Sequence, residues 1–143
     1  MNSDGGFAVI LVLNILWFGA AFLYFSLAPR IAARLLVAKS ARAPPLFPAV
    51  AACIHFLGGM NLAFAAFAVL VLFNSSLFPE PPQKALFAAA FSLAVANLPA
   101  ALREGNADES LWPVLSGPMC FIFLMDGALM VANAAIAVIL LSR

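Results

Sequence analysis

Five of the chain's six acidic residues, Asp4, Glu80, Glu104, Asp108 and Glu109, stand outside its long apolar runs, and the sixth, Asp126, stands in the middle of one. An ionised carboxylate at the centre of a membrane helix costs about 2.5 to 3.5 kcal/mol. Such a group has to face a bundle interior, a partner protein or water. Helix geometry returns Asn133, seven residues later, to nearly the same face, with Met130 between them, so the run carries a polar seam.

His55 is the chain's one histidine. Ala51, Gly58, Gly59 and Ala66 share its helical face and let a second backbone come close. Asn97 shares a face with Ala90, Ala94 and Ala101. Counting along each run at about 1.5 Å per residue, with alternating directions, puts His55, Asn97 and Asp126 within roughly 8 Å of the midplane on its cytoplasmic side. The same count puts Asn14 and Asn133 beyond the midplane as a second tier, and Asn61 near it, about 120° around the helix from His55.

The chemistry open to such a cluster is limited. A His55–Asp126 pair would feel burial and mutual attraction pulling in opposite senses, which makes its charge state responsive near neutral pH. It could support a proton-coupled step or anchor the polar head of a lipophilic ligand. The competing account is structural. Asp126 and Asn133 can simply hydrogen-bond to neighbouring helices, and Asn97 can satisfy the carbonyl freed by Pro99.

The elements that position these residues follow from composition. The chain has 143 residues, of which 66% are hydrophobic and 9% charged, and its mean hydropathy is +1.10. These values exclude an ordinary soluble domain. About 20 apolar residues cross a bilayer as a helix, and residues 7–28, 48–73, 85–102 and 114–141 meet or approach that length without the alternation of barrel strands. The expected fold is therefore an all-α, integral membrane four-helix bundle forming a single domain. Its first helix reads as retained, because the N-terminus lacks the basic segment of a signal peptide.

Basic residues in short loops set the orientation. Arg30, Arg34, Lys39 and Arg42 follow the first run and Arg103 follows the third, against Lys84 and Arg143 on the other side. Both termini are then expected on the non-cytoplasmic side, in the inner membrane if the source is bacterial. The same four basic residues could contact lipid headgroups. The wheel of PRIAARLLVAKSAR, however, mixes Ile31 and Leu35 with the charges, which favours a plain topological role.

The net charge of +1 gives no footing for nucleic acid. Cys53 and Cys120 lack metal or redox spacing and read as free thiols. No nucleophile with a partnered base, HExxH motif, phosphate loop or metal cluster occurs in the sequence, so catalysis ranks below binding or scaffolding, and the sequence leaves any cofactor unknown. Two readings lead, and an enzyme acting within the bilayer on a lipid or quinone is a third option. In the first, a small multi-pass protein binds or conducts a small or lipophilic molecule at the intramembrane cluster. In the second, it is an accessory or assembly subunit that docks larger membrane partners or copies of itself through apolar faces, with Phe64, Phe67, Phe87 and Phe91 among its exposed rings.

Overall fold

Pro29 decides where the first helix stops. The computed structural model describes residues 3–43, 45–96 and 117–142, and its first helix, α1, runs Ser3–Leu27. Proline has no N–H to continue the ladder and disfavours helical geometry in the residue before it. Ala28 accordingly leaves helical geometry, while its N–H still closes the last turn on the Tyr24 carbonyl at 3.1 Å. The Ala28 carbonyl then accepts from Ile31 and Ala32, both at 2.9 Å, and opens a second helix, α2, at Pro29–Leu36.

α2 is short and two-sided. Ala32 and Ala33 are buried against Ala51 and Ile54, and Leu35 and Leu36 pack beside Met119 and Phe123. Arg30, Ile31 and Arg34 point outward. Leu35 therefore belongs to the packed side, and only Ile31 breaks the separation that the helical wheel had blurred. Arg42 folds back over the C-terminal end, its guanidinium donating to the Val37 and Arg34 carbonyls. A cation there satisfies orphan carbonyls and complements the helix dipole.

α3 spans Leu46–Phe73 and begins two residues before the apolar run, because Pro48 is tolerated in a first turn whose N–H groups lack helical partners. α4 spans Pro81–Ala94. It starts four residues before its apolar run, since Glu80 and Gln83 form a capping box and Pro81 and Pro82 suit the first turn. Its 14 residues measure about 21 Å. The final helix, α5, spans Gly117–Leu141. Gly117 has φ +56°, a left-handed conformation that glycine adopts without steric cost. Asn97, Pro99, Arg103 and the rest of 97–116 lie outside the described residues.

Side-chain partners fix the helix directions. The Lys84 ammonium meets Asp4 at 2.6 Å, so α1 and α4 start at the same end. Asn14 pairs with Asn133 and Trp17 with Asp126, so α5 runs opposite to α1. Ser92 Oγ donates to the Met130 carbonyl at 3.0 Å and ties α4 to α5. Closest backbone packing joins α1 to α3 and α4 to α5, with α1 also touching α5.

Between α3 and α4 the contact is aromatic. Phe18, Phe64, Phe67, Phe87 and Phe91 form a continuous set of ring contacts, among them a stacked Phe87–Phe91 pair at 4.5 Å and an edge-on Phe64–Phe91 pair at 5.5 Å. Phe87 and Phe91 are 5% and 2% exposed and belong to the core with Phe7, Leu11, Ala65, Ala68 and Ile136. This corrects the expectation of four outward rings. Phe67 is the exposed member, and Phe64 is half-buried against the core.

The outer surface is as apolar as the interior. Leu16, Leu23, Phe56, Leu86, Leu93, Phe121, Leu124 and Val138 are all exposed. Faces of that kind suit hydrocarbon rather than water. Among the described residues the protein is all-helical, with five α-helices, and α1, α3 and α5 are long and apolar enough to cross a membrane.

Candidate functional site

The contact between α1 and α5 carries the polar seam. Asn14 and Trp17 stand three residues apart on α1, and Asp126 and Asn133 seven apart on α5, spacings that keep each pair on one helical face. Antiparallel packing then sets Asn14 against Asn133 and Trp17 against Asp126.

Asn14 and Asn133 are both fully buried. Asn14 Nδ2 donates to Asn133 Oδ1 at 2.9 Å, and Asn133 Nδ2 donates back to Asn14 Oδ1 at 3.1 Å and to its own helix at the Leu129 carbonyl at 2.9 Å. Both N–H groups of Asn133 and both amide oxygens are engaged. A closed arrangement of this kind holds helices together and has little capacity for a ligand.

Asp126 differs. The Trp17 indole N–H donates to Asp126 Oδ1 at 2.8 Å, and the Trp17 ring meets Phe121 edge-on with centroids 6.3 Å apart. The carboxylate is half-buried. A carboxylate has about four acceptor positions, and Trp17 occupies one. The site is thus a fixed acid beside two aromatic rings, suited to a hydrogen-bond donor or a cation.

Trp17 is the residue that sequence reasoning missed. Its signal was present: an indole N–H on an apolar helix, three residues from Asn14, needs an acceptor.

His55 is held elsewhere. Its Nδ1 lies 3.0 Å from the Ser26 carbonyl, and because a carbonyl only accepts, Nδ1 carries the proton. Pro29 ended α1 and left its last carbonyls without helical donors, and the imidazole supplies one. Ser26 lies nine residues beyond Trp17, about 14 Å along α1. His55 and Asp126 therefore engage α1 at different levels through different partners.

The difference arises because packing, not the ends of apolar runs, sets the register of α3 on α1. Gly58 is the fixed point. A Cβ there would come within 2.9 Å of Ser26 N and 3.2 Å of the Phe25 carbonyl carbon, whereas Gly59 faces open space.

Asn61 Nδ2 donates to the Leu57 carbonyl of its own helix at 2.8 Å, and Asn97 lies outside the described residues. Of the basic residues in and after α2, Arg30, Arg34 and Lys39 are exposed and Arg42 is committed to capping. Cys53 is an exposed free thiol and Cys120 a half-buried one. Among the described residues no group of three His, Cys, Asp or Glu side chains converges as a metal site. No protein-family model, curated protein or solved structure matches the chain.

Proposed function

We propose that the protein is a multi-pass membrane bundle of four spans, with both termini on the non-cytoplasmic side, that binds or conducts a small lipophilic molecule through Asp126. The topology rests on the basic residues that follow α1 and on the apolar sequence continuing from α4 towards residue 102. The binding reading rests on one observation: Asp126 is oriented by Trp17 and retains acceptor capacity beside Phe121. The preferred ligand carries a donor or cationic end on an apolar body. Asn97 is a secondary contributor on the sequence's count of depth, whereas His55, bonded to the Ser26 carbonyl, stands apart from the site.

The test is native mass spectrometry of protein extracted gently from its own membrane, wild type beside Asp126→Asn. A small molecule retained by wild type and absent from the variant supports the reading. Equal retention by both removes Asp126 from the site.

A second reading, an accessory subunit, draws on the outward face of α3. Gly59 meets nothing within 4 Å there, and Ala52, Ala63 and Ala66 are exposed with it. Small residues of this kind allow close helix contact. Co-extraction of stoichiometric protein partners in the same experiment would favour it over ligand binding.

A further inference from the structure

At the opposite end from α2, the first turns of α1, the last turns of α3 and the start of α4 enclose a cavity of about 520 Å³. That volume lies within the range of small-ligand sites. Phe7, Leu11 and Val71, all buried in the core, form an apolar floor, and Phe78 contributes one wall. Asp4, Ser76 and Lys84 bring the polar groups to the lining. Lys84 meets Asp4 at 2.6 Å, with side chains 15% and 66% exposed respectively.

We infer that this cavity holds the headgroup of an ethanolamine phospholipid, with the first carbons of an acyl chain on the apolar floor. The argument is one of charge complementarity. An ammonium has three donors, and Lys84 directs one to Asp4, so two can meet phosphate oxygens. The outward Asp4 carboxylate can accept from a primary ammonium.

The ion pair and the zwitterionic head are mirror images, and pairing them satisfies four charges together. A purely anionic head would face Asp4 and, four residues from Lys84, the exposed Glu80. A choline head has no N–H to offer Asp4. Location agrees with chemistry, because the cavity opens where two apolar helices begin and a third ends, at headgroup level for spans of this length.

The experiment uses the full chain in nanodiscs containing equal amounts of ethanolamine, choline and glycerol phospholipids with matched acyl chains. Native mass spectrometry then identifies the lipid retained after release. Wild type is expected to enrich the ethanolamine lipid about five- to tenfold. Lys84→Gln is expected to abolish lipid retention, and Asp4→Asn to erase the preference while glycerol phospholipid gains. Ala8→Phe, which fills the cavity from α1 and leaves the ion pair in place, is expected to abolish retention without altering charge.

Asp126→Asn is expected to keep the full lipid preference, which separates this site from the proposed ligand site. No enrichment by wild type, a preference for glycerol or choline lipid, or an unchanged preference in both Lys84→Gln and Ala8→Phe would overturn the inference.

Discussion

Trp17 directs its indole N–H at Asp126 across 2.8 Å, and the two residues stand 109 positions apart in the sequence. The bond gives a half-buried carboxylate a fixed orientation while leaving most of its acceptor capacity open. Structural and functional demands on Asp126 can therefore be separated by substitution.

Asp126→Asn preserves an acceptor for the indole, so the bundle is expected to stay within about 0.5 kcal/mol of wild type, while affinity for a cationic or donor ligand falls tenfold or more, roughly 1.4 kcal/mol. Trp17→Phe does the reverse. It removes the donor from a half-buried acid and is expected to cost about 1 to 3 kcal/mol. Unfolding in mixed micelles reads the first quantity and ligand titration the second. Loss of stability in Asp126→Asn equal to that in Trp17→Phe would contradict the separation.

The reciprocal amides of α1 and α5 call for a double-mutant cycle. Asn14→Leu and Asn133→Leu each orphan the remaining amide. The double variant is therefore expected to be less destabilised than the sum of the singles, by about 0.6 to 1.7 kcal/mol. Additive effects would show that the pair contributes no mutual stabilisation.

Two adjacent glycines are expected to respond with opposite signs. Gly58→Ala drives a methyl group into the Ser26 backbone, which cannot swing aside as a flexible side chain could, at an expected cost of about 1 to 3 kcal/mol. Gly59→Ala enters open space and gains helix propensity, so it should be neutral or stabilising by up to about 1 kcal/mol. Thermal denaturation of the two variants in one detergent measures both, and similar losses would refute the α1–α3 contact described above.

His55 is expected to resonate as an imidazole protonated at Nδ1, a tautomer that nitrogen-15 spectroscopy of the labelled ring distinguishes directly. Replacement by Phe keeps the bulk, removes the donor to Ser26, and should cost about 0.5 to 1.5 kcal/mol. A ring protonated only at Nε2 would place the bond to Ser26 in error.

The three long helices were legible in the sequence because a run of apolar residues near 20 has few other physical meanings. The start of α4 was harder, because Glu80, Pro81, Pro82 and Gln83 resemble a loop by composition and form a helix cap by position. The phenylalanines of α3 and α4 could not be sorted by type, since lipid-facing and core positions in a membrane bundle draw on the same side chains. Asp126 stood out by its cost, but its partner did not. Trp17 resembled an ordinary aromatic until packing brought α5 against it. His55 was placed near Asp126 by counting from the ends of spans, whereas Gly58 set the register that separated them.

The amide pair also has a consequence in time. Asn14 belongs to α1, and its partner on α5 follows 119 residues later. A chain synthesised from its N-terminus carries Asn14 through the making of α3 and α4 before Asn133 exists. Until α5 arrives, α1 keeps an amide unmatched by its partner, so α5 completes the pairing chemically as well as sterically. A chain released before α5 is made keeps Asn14 without that partner.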